Sequence, residues 1–143
     1  MSAFNQYFVG TIKNRYANFE GRARRSEYWY FTLFYVLSYL LISFCAGLLT
    51  ALLGESLAFI SIILIAILVF GLLIPNLAVT IRRLHDIGKS GWFMLIGIIP
   101  LVGSIILLVY LCSEGQPGTN LYGPDPKALP AANASDHLLD DLD

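Results

Sequence analysis

Residues 57–81 read LAFISIILIAILVFGLLIPNLAVTI, with no charged side chain anywhere in the stretch. A hydrocarbon core about 30 Å thick takes about 20 helical residues to cross, so this run is long enough to span it. Its Leu, Ile, Val and Phe residues, at about −0.3 to −0.6 kcal/mol each, favour insertion by roughly 5–10 kcal/mol. Two more charge-free runs flank it, at 28–54 and 91–113. Backbone groups in lipid must be satisfied within a helix or a closed barrel. No strand-like alternation is present, so each run is expected to be a helix. The reading is an all-α membrane protein with three transmembrane helices.

Composition agrees. The chain has 143 residues, is 57% hydrophobic and only 13% charged, and carries a net charge of −1; an average soluble domain is about 25% charged. That excludes a nucleic-acid binder built on a basic face, a disordered tail protein and a water-soluble globule. The length allows one domain, an integral unit over 1–127 followed by an acidic tail, 128–143, expected to be disordered. Cys45 and Cys112 cannot make a disulfide framework. Both are placed in the outer half of the membrane and read as small apolar residues.

Orientation follows from the cations. Lys13, Arg15, Arg22, Arg24 and Arg25 precede the first run, and Arg82, Arg83 and Lys89 lie between the second and third. Only Lys127 is left for the other side. The positive-inside rule puts the N-terminus and the Arg82–Ser90 loop in the cytoplasm and, with three spans, the C-terminus outside. Trp29 and Trp92 then fall at the cytoplasmic interface, a level tryptophan prefers.

Residues 3–19 place Phe4, Tyr7, Phe8, Ile12, Tyr16 and Phe19 at three- and four-residue steps. That spacing predicts an N-terminal amphipathic helix, lying in the interface or packed on the bundle's end. The first span carries a hydroxyl stripe of Tyr28, Thr32, Tyr35, Tyr39 and Ser43, expected to face the other helices. In the second, Pro75 leaves the carbonyl of Gly71 without its helical donor. Asn76 beside it is the most polar side chain in any span. Pro100, between Gly97 and Gly103, is expected to bend the third.

The densest polar cluster is residues 82–92, RRLHDIGKSGW. Gly88-Lys89-Ser90 resembles the end of a phosphate loop, but Arg83 stands where that motif needs glycine. His85 and Asp86 supply a ligand or a base near neutral pH, yet a tetrahedral metal site needs three or four ligands. No catalytic residue, metal or cofactor is assigned. On the structural reading, Arg82 and Arg83 balance the helix dipole, Gly88 permits the turn and Ser90 caps the next helix. His85 and Asp86 then pair with Arg22, Arg24 or Arg25. Arginines so placed also suit lipid phosphate.

Three motifs carry a resemblance. Residues 19–29, FEGRARRSEYW, are followed by Leu77-Ala78-Val79 with residues 82–92, and then by Gly115, Gly118, Asn120 and residues 122–126, YGPDP. Together they resemble the signatures of the bacterial membrane family called domain of unknown function 805, over about residues 4–127. The resemblance implies a small bacterial inner-membrane protein and no particular reaction.

The function expected is that of a non-enzymatic membrane assembly, or of a component binding anionic lipid or a partner. Its candidate residues are Arg22, Arg24, Arg25, Glu27, Arg82, Arg83, His85, Asp86 and Lys89. Its partners would be membrane lipids, a second copy or another membrane protein, with no nucleic acid. An oligomeric small-solute transporter is the alternative, resting on Asn76, Tyr35 and Tyr39. Against it, no span holds a charge. An interfacial enzyme acting on lipid headgroups is the third reading.

Overall fold

The computed structural model describes residues 8–54 and 58–128. Among them there is no strand. Two helices of 29 residues dominate, α2 (Arg25–Leu53) and α3 (Ala58–Asp86), numbered after the short α1 (Gly10–Asn14). At 1.5 Å per residue each is about 43 Å long, enough to cross a bilayer with turns to spare. They run antiparallel. Arg82 meets Glu27 at one end, and the Ser61 and Thr50 hydroxyls lie 3.5 Å apart near the other. Phe44, Leu52, Phe59 and Phe70 each leave 70–72% of their surface exposed. Lipid suits such an apolar exterior, and water does not.

The third charge-free run departs from expectation. Residues Gly91–Ile98 form a 3₁₀ segment started by the Ser90 side chain, the chain reverses at Ile99–Leu101, and α4 (Val102–Cys112) returns beside it. Phe93 and Tyr110 meet edge to face, with centroids 4.9 Å apart. At about 2.0 and 1.5 Å rise per residue, each arm is about 16 Å long, half the hydrocarbon thickness. The run is therefore a hairpin of two short arms and not one continuous helix, and neither arm alone has the length of a span.

Its causes are local. Pro100 has no N–H to continue a helix. Leu101 takes φ 61, which turns the chain back. A Cβ on Gly103 would stand 1.8 Å from the Ile96 carbonyl oxygen, so only glycine lets the arms close. Bonds from the N–H groups of Ile99, Val102 and Gly103 to the carbonyls of Ile96, Pro100 and Ile99 keep the reversal paired, as a lipid environment demands.

Residues 113–128 come back to the end of the helix pair that holds the Arg82–Ser90 loop and do not emerge at the opposite one. Cys112 also lies at that end, against the outer-half placement expected of it.

The N-terminal helix is shorter than its pattern predicts. Helix α1 stops at Asn14, and residues 15–19 leave it because Arg15 and Tyr16 turn toward α2 and α3. Phe8 is buried against Phe31 and Phe34, at 5.4 and 6.0 Å between centroids, so this segment packs on the bundle. Phe4, Tyr7 and residues 129–143, which hold nearly all of the acidic tail, lie outside the described residues.

Candidate functional site

The site begins with a turn. Gly21 takes φ 80, and the Ala23 N–H donates to the Arg82 carbonyl at 3.0 Å. Ala23 is fully buried there. These two contacts press the segment before α2 against the end of α3 and aim Arg22 inward.

Arg22 then meets Asp86, with Nε 2.9 Å from Oδ1. Arg83 takes the other carboxylate oxygen, with Nη1 2.5 Å from Oδ2. All three residues are buried. A buried carboxylate between two guanidiniums is held by charge as well as by hydrogen bonds. Arg83 also donates to the carbonyls of Leu111 and Ser113. Those belong to the end of α4, whose last carbonyls lack helical donors. So Arg83, expected to balance its own helix dipole, caps the returning hairpin.

The segment after α4 is bound as a strap. Arg22 donates to the carbonyls of Gln116 and Gly118, and the Gln116 N–H reaches the Asp86 carbonyl at 2.8 Å. Arg25 pairs with Glu114 at 2.6 Å, and Arg24 donates to the Pro126 carbonyl at 2.5 Å. The His85 ring stacks on Tyr122, with centroids 3.9 Å apart and planes 3° from parallel. Its Nδ1 donates to the Gly21 carbonyl at 3.1 Å.

On the other flank, Glu27 is shared by Arg82 at 2.6 Å and Arg15 at 3.4 Å. Arg82 is 1% exposed. Its Nε and Nη2 groups are buried without a partner among the described residues. Three buried guanidiniums, on Arg22, Arg82 and Arg83, thus face two carboxylates, on Asp86 and Glu27. One positive charge is left over.

Two carboxyls on the strap are perturbed. The Lys127 ammonium hydrogen-bonds Glu114 and holds it below its ordinary value of 4.5, with Arg25 adding to the effect. The backbone N–H of Lys127 does the same for Asp125, holding it below 3.8, with the Gly118 N–H helping.

Of the residues expected at this site, Arg22, Arg24, Arg25, Glu27, Arg82, Arg83, His85 and Asp86 come together. His85 and Asp86 share a backbone but not a task, since one stacks on Tyr122 and the other binds arginines. Lys89 stands apart, with its Nζ 5.7 and 5.4 Å from the ring centroids of Phe93 and Tyr110. Tyr35 packs against the core around Phe31, while Tyr39 is exposed. Asn76 is half-buried in α3, its carbonyl accepting from the Thr80 hydroxyl. None of these three reaches the arginine cluster.

The strap residues Glu114, Gln116, Asn120, Tyr122 and Asp125, and also Arg15, were not foreseen in it. Pro100 between Gly97 and Gly103, midway along the third run, marks the place of the turn, but a proline alone does not distinguish a bent span from a reversal.

Comparison with known proteins finds relatives named as inner membrane proteins. Residues 16–124 match the family described as "Protein of unknown function (DUF805)". The chain is 41% identical over 124 residues to the inner membrane protein YhaH of Escherichia coli strain K12, covering 87% of this chain and 98% of that one. It is 39% identical over 122 residues to the inner membrane protein YhaI of the same strain, covering 85% and 96%. No solved structure matches. The matched residues 16–124 include Arg22, Arg83, Asp86 and most of the strap, and the chain belongs to the DUF805 family.

Proposed function

We propose that this chain is a non-enzymatic component of the bacterial inner membrane that binds anionic phospholipid at its arginine-rich end. One observation carries the reading. With the hairpin folded back, all nine Lys and Arg residues of the sequence belong to segments at one end of the helix pair. The turn between α2 and α3 has none. The positive-inside rule makes that end cytoplasmic. The cytoplasmic leaflet is the anionic one, and each cation near it gains about 1 kcal/mol. The C-terminal strap is then cytoplasmic too.

The arginines are more than topology signals. A charge that only sets orientation needs no fixed geometry, whereas these are pinned by the Gly21 turn, the strap and two carboxylates. Native mass spectrometry of the protein taken gently from its own membrane tests the reading. Anionic lipids should be retained in clear excess over their share of the bilayer. Lipid in bilayer proportion, or none, would overturn it.

A further inference from the structure

A cavity of about 510 Å³ opens at the cytoplasmic end between α1 and the start of α2, lined by Thr11, Asn14, Arg15, Arg22, Arg24 and Glu27, with Pro126 of the strap at its edge. The geometry points to a discrete site here for a phosphate group, its oxygens held between the Arg15 and Arg24 guanidiniums at the start of α2. The inference rests on the reading of an anionic-lipid binder and gives it one address.

Four observations carry it. Arg15 and Arg24 spend few of their donors on the protein. Arg15 gives Nη1 to Glu27, and Arg24 gives Nε to Pro126. Their other N–H groups have no partner among the described residues. A planar guanidinium with an open edge suits two phosphate oxygens at once.

The start of α2 is uncapped. Arg24 is its N-cap residue and places no side chain on the first turn. The N–H groups of that turn carry the positive end of a 29-residue helix toward the cavity wall, and a phosphate there is stabilised by the dipole as well as by the arginines.

The one carboxylate in the wall is already taken. Glu27 is bound by Arg82 from behind and by Arg15 from the side. Its charge therefore does not repel an incoming anion as a free carboxylate would.

The buried charges are also unbalanced. Arg82 sits behind Glu27 with two donor groups unpaired, and the buried cluster is one negative charge short. A buried donor without a partner points to a missing water or ion. Arg82 does not itself line the cavity, so a phosphate there offsets the surplus charge from across Glu27 and not by direct contact.

The phosphate has two sources, a phospholipid headgroup or a soluble phosphate. The full chain in nanodiscs distinguishes them. In discs of equal phosphatidylglycerol and phosphatidylcholine, native mass spectrometry should find the wild type enriched in phosphatidylglycerol. Arg24→Gln should lower that enrichment about tenfold, the loss expected for hydrogen bonds to a charged group. Lys13→Gln removes the same charge from α1 outside the cavity and should lower the enrichment by much less than Arg24→Gln does. In discs of phosphatidylcholine alone, inorganic phosphate should raise the melting temperature of the wild type, and not of Arg24→Gln, if the source is soluble. Equal losses in Arg24→Gln and Lys13→Gln, with no phosphate effect, would overturn the site and leave a diffuse anionic-lipid surface. No enrichment in the wild type and no phosphate effect would overturn both. Because Arg24→Gln also removes the bond to Pro126, Arg15→Gln is the second variant. It touches no strap residue and should show the same loss.

Discussion

The Tyr16 hydroxyl donates to the carbonyl of Gly71 at 2.5 Å. That carbonyl lost its helical donor to Pro75, four residues on. A side chain from the N-terminal segment, 55 positions away, replaces the missing N–H. The same contact explains why α1 ends where it does, since a helix continued through Tyr16 would carry the ring elsewhere. It also lets α3 run unbroken through Pro75 to Asp86.

Tyr16→Phe keeps the ring and removes the donor, so it should cost roughly 1–3 kcal/mol, the penalty of an unpaired polar group. Pro75→Ala restores an N–H to the same carbonyl. In a double-mutant cycle by reversible unfolding in micelles, Tyr16→Phe should then cost much less in the Pro75→Ala background. A coupling energy indistinguishable from zero would mean that the hydroxyl does not serve that carbonyl.

Asp86 answers two buried arginines with one side chain. Removing it leaves both guanidiniums short of charge, a change worth roughly 3–5 kcal/mol. Asp86→Ala should therefore lower folded yield sharply, with any phenotype following the yield. Gly115→Ala tests the same contact from outside. A Cβ there would stand 2.2 Å from the Asp86 carboxylate, so it should weaken thermal stability without touching a charge. Full stability in both variants would show that Asp86 is dispensable to the bundle.

The helix pair and the arginine cluster are legible in the sequence, and the hairpin is not. A charge-free run of 25 residues fixes α3, and arginines before the first run and after the second predict their meeting. The third run is as apolar and nearly as long, so hydropathy reads it as a span. What separates the two runs is Pro100 flanked by Gly97 and Gly103, and a single proline bends many spanning helices without reversing them. Only the close approach of Gly103 to Ile96, a contact that exists once the chain has turned, decides between bending and turning back. Once the third run is taken as a span, the strap is sent to the end opposite the arginines that it meets in the structure. Tyr122, Gln116 and Asp125 are then lost to the site although their motif is visible.

The hairpin makes a topological prediction. A reporter fused after residue 128 should report the same side as the N-terminal segment, and an enzyme active only in the cytoplasm should be active there. Gly103→Leu should force the arms apart, because the added side chain meets backbone and not a movable side chain. It should expose the 113–128 segment to added protease in inverted vesicles. A reporter active only outside the cytoplasm would restore three spans.

The strap also carries an acid response. Asp125 accepts from the Lys127 N–H at 2.8 Å and the Gly118 N–H at 3.3 Å, and both bonds favour its charged form. A carboxyl held below its ordinary value stabilises the fold above that value, and the contribution is lost as pH falls through the lowered one. The Gly118–Lys127 turn should therefore stay closed from neutral pH down to the ordinary value of 3.8 and loosen below it. The amide proton shifts of Gly118 and Lys127, followed by NMR in micelles, should titrate together with a midpoint under 3.8. Glu114, held down mainly by Lys127, should follow the same direction from below 4.5. A midpoint at or above 3.8 for the two amides would mean that Asp125 is solvated and the turn is not held by its carboxylate.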